Sequence, residues 1–242
     1  MDMMEKIKYS IRRLIYHERA STKEYVLYLR NKGCKIGEGV IFHDVKTAWV
    51  DVTRPWLIDI GNHVHITRGV TILTHGHDLA VLKRYYGEVL GCGGGVTIGN
   101  NVFIGMHSTI LKGTTIGNNV IIGANSLVNK NIPDNCVAAG NPCKVIMSLD
   151  EYYHKRKKAQ IKEATEIVNK YRERYGKEPD PKALHEFFWL FSDGKSELPE
   201  EYKYMMRISG NEQLSYERLT NNYPVYSCMQ EFLESIPKKT RD

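Results

Sequence analysis

An aliphatic residue returns at every sixth position from Ile98 onward, at Ile98, Ile104, Ile110, Ile116, Ile122 and Val128, without a miss. An earlier tract keeps the step at Ile60, Ile66 and Ile72, and IGEGVI beginning at Ile36 reads as a preliminary copy. A period of six fits neither the turn of an α-helix nor a heptad. It predicts a solenoid in which each hexapeptide supplies a short strand and a turn, the repeated aliphatic pointing inward onto its equivalents in neighbouring coils. Gly and Asn follow the aliphatics, as in IGNNVF, IGNNVI and IGANSL, at positions where a turn would need positive φ.

The pattern breaks once. Ile72 and Ile98 are 26 positions apart, two more than four hexapeptides, so the phase slips across DLAVLKRYYGEVLGCGGG, residues 78–95. This stretch is expected to leave the coil as an extruded loop, directly after the pair His75 and His77, and loops on a rigid scaffold are where binding and catalysis concentrate. Residues 1–33 carry helical spacing and a Gly stop, which suits a helical segment over the first coil of a body spanning 34–147. Residues 148–242 form the third part, a helical extension. It opens with a long charged helix ended by Gly176, and its later stretches PKALHEFFWLF and PVYSCMQEFLESI are expected to pack on the solenoid flank or on another subunit.

Charge and cysteine content narrow the partners. The chain has 242 residues and a formal net charge of +6, with basic clusters in KIKYSIRR and HKRKK. No nucleic-acid motif accompanies them, so anionic cofactors or membrane-associated substrates are expected, and no nucleic acid. There is no apolar run of transmembrane length, and charges occupy the start of the chain where a signal peptide needs an apolar core. The five cysteines, Cys34, Cys92, Cys136, Cys143 and Cys228, are scattered without a C-x-x-C pair. A cytoplasmic protein is expected.

Residues 57 to 147 resemble the hexapeptide acetyltransferases of the galactoside, maltose and polysaccharide O-acetyltransferase group. The resemblance rests on GVTILTHGHD, an excursion reaching Gly87-Glu88, and VTIGNNVFIGMHSTILKGTTIGNNVIIGANSLVNKNIPDNCVAAGNPCKVI. The PWLIDIG opening, the THGHD step and the helical tail are most similar to acetyltransferases of capsular or lipopolysaccharide sugars. The resemblance implies a mainly β fold, a left-handed parallel β-helix of hexapeptide repeats with an N-terminal helical cap and a C-terminal α-helical extension. It also implies a homotrimer with sites between solenoids, acetyl-CoA as acyl donor, a saccharide hydroxyl as acceptor and no metal.

The chemistry implied is a single histidine base that takes the acceptor proton as the oxygen attacks the thioester, a task suited to an imidazole. His77 holds the place of the base in the galactoside and maltose enzymes, and His75 fits the T-H step of polysaccharide acetyltransferases; both stay open. Asp78 is a candidate to orient one imidazole. The family's acyl-CoA contacts carry over to Phe103, Gly105, Met106, Gly123, Ala124, Asn129, Lys130 and Lys144. Met106 stands where the galactoside enzyme has Ser, and Asn125 replaces a usual Gly, which alters the pantetheine contacts. The acceptor pocket points to Asp51, Arg54, Trp56, Tyr85 with Tyr86, and Glu88. Two rivals share the scaffold: N-acetylation of an amino-sugar by the same base, and a γ-type carbonic-anhydrase-like zinc enzyme built from histidines, for which His63/His65 and His75/His77 are candidates.

Overall fold

The computed structural model describes residues 3–237, without the side chain of Lys6. The chain divides between Tyr152 and Tyr153 into two compact units.

The first unit opens with α1 (Met3–Tyr16) and α2 (Thr22–Lys32). Ser21 caps α2, its hydroxyl accepting from Glu24 N at 3.2 Å, and Gly33 ends it in the left-handed region at φ 108°. Tyr25 and Leu29 of α2 are buried in the same apolar cluster as the coil core, so this helix closes its first end. Arg19 fastens the helices to the coil by donating to the carbonyls of Val45 and Ala48 while lying over the Tyr25 ring.

Twelve short strands then build the coil, three per turn. They are β1 (Lys35–Ile36), β2 (Ile41–Phe42), β3 (Trp49–Val50), β4 (Ile58–Ile60), β5 (Val64–Ile66), β6 (Thr71–Ile72), and, past α3 (Leu79–Tyr86), β7 (Val96–Ile98), β8 (Val102–Ile104), β9 (Thr109–Ile110), β10 (Thr114–Ile116), β11 (Val120–Ile122) and β12 (Leu127–Val128). β1, β4, β7 and β10 form one parallel sheet; β2, β5, β8 and β11 lie in a second; β3, β6, β9 and β12 form a third. The hexapeptide step thus moves the buried aliphatic from sheet to sheet, and three steps return it to the first. Ile98 pairs with Ile116, and Ile104 with Ile122, across neighbouring coils. These isoleucines are essentially without exposure, and their stacking supplies the burial that no single coil could achieve.

Polar ladders line one corner. Asn100 Oδ1 accepts from Asn62 N, Asn118 Oδ1 from Asn100 N and Asp134 Oδ1 from Asn118 N, each at 2.7–2.9 Å. Beside them Asn101, Asn119 and Asn135 adopt φ of 54° to 56°. His63 and His107 also take left-handed turn positions, a departure from the expectation of Gly and Asn alone.

β13 (Cys136–Ala139) continues the second sheet in parallel, and β14 (Lys144–Ser148) adds to it antiparallel and ends the coil. Ser148 and Glu151 then form a capping box for α4 (Leu149–Tyr175), Ser148 Oγ accepting from Glu151 N at 3.2 Å and Glu151 Oε2 accepting from Ser148 N at 2.7 Å. Gly176 stops α4 at φ 64° as expected.

In the second unit, Ala164 and Val168 of α4 share a core with Leu184, Phe187, Phe188 and Phe191. The other walls are Tyr202 and Met206 of α5 (Glu200–Arg207), Leu219 of α6 (Glu212–Thr220), and Phe232 and Leu233 of α7 (Met229–Glu234). Phe188 stacks on Tyr202 with ring centres 4.8 Å apart. The aromatic stretches of PKALHEFFWLF and PVYSCMQEFLESI, expected on the coil or another subunit, therefore build a core of their own.

Candidate functional site

The site lies at the corner that follows the third sheet. Val50 pairs with Ile72, and Asp51 N donates to Ile72 O at 2.9 Å, so the residues leaving β3 lie beside those leaving β6. Asp51 has no solvent exposure. Its Oδ1 accepts from Thr53 N at 3.0 Å and Thr53 Oγ1 at 2.6 Å, and its Oδ2 accepts from Thr74 N at 3.0 Å and Thr74 Oγ1 at 2.5 Å. Burial alone would raise the Asp51 pKa, but these Thr53 and Thr74 donors overcome it and hold the carboxyl well below the usual carboxylate range. Oδ2 also lies 2.6 Å from His75 Nδ1. A carboxylate only accepts, so Nδ1 carries a proton, and in the neutral imidazole the lone pair is then on Nε2.

Two acidic candidates therefore stand otherwise than expected. Asp51, expected to line the acceptor pocket, has no surface to offer and instead orients an imidazole. Asp78, the expected orienting group, sits at the head of α3 with its carboxyl packed over Gly76. His77 is exposed and stands edge-on to His75, with ring centres 5.1 Å apart.

The excursion contains α3 and returns along His75. Strand partners 18 residues apart in the regular coils, such as Val96 and Thr114, become 38 apart across it, as Ile58 and Val96 are. His75 and Gly93 form an antiparallel bridge, and Gly94 N donates to Thr74 O at 3.0 Å. Arg54, expected to meet the acceptor, secures this return by donating from Nη1 to Cys92 O at 3.0 Å. A Cβ at Gly93 would meet the Arg54 guanidinium and force it to shift from this position. Trp56, Tyr85, Tyr86 and Glu88 are all exposed, and the two tyrosine rings stand edge to face 4.7 Å apart.

The donor-binding candidates fall into groups. Gly105 and Met106 leave β8, Gly123 and Ala124 leave β11, and the pairs stack at the corner between the second and third sheets, where Asn125 N donates to Met106 O at 2.8 Å. A Cβ on Gly105 would lie 2.5 Å from Ala124 N, so only glycine allows that approach. Lys144 pairs with Ala139, which lies against Gly123, and so belongs with this group. Phe103 points outward from β8 between His65 and Ile121 and is half exposed. Asn129 and Lys130 follow β12 at the corner that also carries His75. Gly105 to Ala124 and His75 thus stand on opposite edges of the sheet formed by β3, β6, β9 and β12. Among the described residues, no group of three or more His, Cys, Asp or Glu is placed to hold a metal ion.

Residues 95–130 match the model of the bacterial transferase hexapeptide (six repeats). Protein CapG of Staphylococcus aureus is 45% identical over 124 residues, covering 51% of this chain and 71% of that protein. The chain belongs to the hexapeptide-repeat acetyltransferase family. Another member, galactoside O-acetyltransferase of Escherichia coli K12, is 43% identical over 113 residues, 45% of this chain and 55% of that protein. A solved family structure, a maltose O-acetyltransferase from Clostridium difficile 630, is 30% identical with a TM-score of 0.41 and covers 57% of this chain and 82% of its own. Of the two threonines that support Asp51, only Thr53 had a signal in the sequence, D-V-T, an Asp followed two residues later by Thr, and it marks only a local turn; Thr74 lies 23 positions away.

Proposed function

We propose that the chain is an O-acetyltransferase that moves an acetyl group from acetyl-CoA directly to a saccharide hydroxyl, with His75 as general base. The observation that carries this reading is the Asp51–His75 pair, which leaves the lone pair of Nε2 available beside an extruded loop. Nε2 takes the hydroxyl proton as the acceptor oxygen forms its bond to the thioester carbonyl. The tetrahedral intermediate collapses, the carbon–sulfur bond breaks, and the leaving thiolate recovers the proton from the imidazolium. Asp51 acts through His75, fixing its tautomer and stabilising the imidazolium.

The rest of the reading follows the family. The coil is left-handed, the protein works in the cytoplasm, and three chains assemble so that one chain's donor corner faces another's histidine. The placement of Gly105, Met106, Gly123 and Ala124 across a sheet from His75 supports a site shared between chains. The name of the galactoside-acetylating relative favours a saccharide acceptor, in a surface polysaccharide or its precursor. Trp56, together with Tyr85 and Glu88 of the loop, supplies the exposed aromatic and acidic surface that a sugar would meet.

Thiol release from acetyl-CoA, measured against a panel of sugars, amino-sugars and nucleotide-sugars, tests the assignment. His75→Ala should lower turnover by about 10²-fold or more while His77→Ala retains most of it. The reverse pattern would transfer the base to His77, and preference for an amine would replace O- by N-acetylation. Absence of CoA binding together with stoichiometric zinc in the purified protein would overturn the reading in favour of the metal-dependent rival.

A further inference from the structure

The first helix carries an apolar stripe that no described residue covers. Met3, Met4, Ile7, Ile11, Leu14 and Ile15 of α1 are each more than half exposed. At about 100° per residue they fall within roughly one-third of the helix circumference. The opposite side is the one held by the body. Tyr9 Oη donates to Glu24 Oε1 at 2.6 Å, Arg13 Nε lies 3.8 Å from Glu24 Oε2, and Lys46 Nζ sits 3.8 Å above the Tyr16 ring. Tyr9 is the one described side chain of α1 that is not exposed. This inverts the usual arrangement, in which a surface helix turns its apolar face to the core and its polar face to water.

The charges beside the stripe indicate what covers it. Lys8 and Arg12 border one edge, and Arg13 stands beyond the other. Glu5 is the sole acidic residue of α1, and its contact with Lys8 at 3.3 Å is between well-exposed groups, so it is weak and leaves the ammonium accessible. An apolar stripe bordered by cations has the pattern of a helix lying in the headgroup region of an anionic bilayer. A second copy of the same helix would bring Lys8 and Arg12 against their own kind with almost no acid to answer them. No helix among the described residues is long and apolar enough to cross a membrane, so the contact would be one of lying on the surface.

We propose that α1 is a membrane-docking helix that seats the Met3–Ile15 stripe in an anionic lipid surface, with Lys8 and Arg12 at the headgroups. The proposal stands on α1 alone and does not depend on the acetyl-transfer reading. If both hold, the docked enzyme would meet acceptors carried on lipid.

Flotation of the full chain with vesicles tests it, using phosphatidylcholine alone and phosphatidylcholine containing about one-third phosphatidylglycerol. The wild-type protein should float with the anionic vesicles and bind phosphatidylcholine, or anionic vesicles in high salt, about 10-fold more weakly or less. Ile7→Asp/Ile11→Asp should lose about 10-fold or more on both compositions, and Lys8→Glu/Arg12→Glu should lose the preference for anionic lipid. The substituted side chains are exposed, and a thermal melt of each variant checks that it folds; should the isoleucine pair fail, the charge pair still decides. Failure of the wild-type protein to float, or equal flotation of wild type and variants, overturns the proposal. So does a change of oligomeric state in Ile7→Asp/Ile11→Asp seen by sedimentation velocity, which would assign the stripe to a second copy. The readout is binding, so its failure is separate from any failure of acetyl transfer.

Discussion

At the residue scale, the weight of the candidate site rests on a carboxylate that the sequence shows 24 positions away from the histidine it holds. The pair His75 and His77 was legible because H-x-H adjoins the break in the repeat. Asp51 was legible as a polar residue near the site but not as the partner of His75, because that depends on the register of β3 against β6. Asp51→Asn should lower kcat by about 10²-fold with little change in the KM for acetyl-CoA, since it withdraws the charge opposite an imidazolium without touching the donor corner. An amide must also turn its NH2 toward the donors of Thr53 or Thr74, costing about 2 kcal/mol in urea unfolding at pH ~7. The acid dependence follows from the lowered Asp51 pKa. In the unfolded chain this group takes up a proton near pH ~4, while in the folded protein it stays charged to lower pH. Across that window the unfolded state binds more protons, so this contribution to stability is full above it and declines as pH falls. Urea midpoints at pH ~7 and ~3.5 should therefore differ less in Asp51→Asn than in the wild-type protein.

At the element scale, the coil is a stack of equivalent positions, and each position has its own tolerance. Ile104 is completely buried between Ile66 and Ile122, and Ile104→Ala should cost about 3 kcal/mol in denaturant unfolding. Asn119, at φ 56°, meets a different constraint. Asn119→Gly should be nearly neutral, losing its bonds to Asn101 and Asn135 but relieving the backbone, whereas Asn119→Val should cost about 2 kcal/mol because a β-branched residue resists that region. The six-residue period makes these strands legible in the chain alone, since the repeat itself states which residue faces inward. The extruded segment was legible only as a departure: its phase slip marked where the coil is left, but the return past His75 is held by contacts with Arg54 and Thr74 that no local pattern encodes.

At the scale of the whole molecule, the coil and the second unit have separate cores with no buried residue in common. Phe232 is fully buried in the second of these, so Phe232→Ala should remove about 3–5 kcal/mol from that unit's stability. Calorimetry should show one transition lowered, with acetyl-CoA turnover at about 25 °C retained if the donor and histidine corners belong to the coil alone. What the sequence by itself determined is the coil: a hexapeptide repeat carries the inward residue, the turn residue and the spacing of neighbours within a few positions, so local physics suffices. It also located the break and the two histidines there. Only the tertiary structure decided that Asp51 turns inward to His75, that Arg54 ties down the loop, and that α1 turns its apolar stripe away from the body. Each of these joins groups brought together by coil register or helix docking, and direction in space is not written in the spacing along a chain.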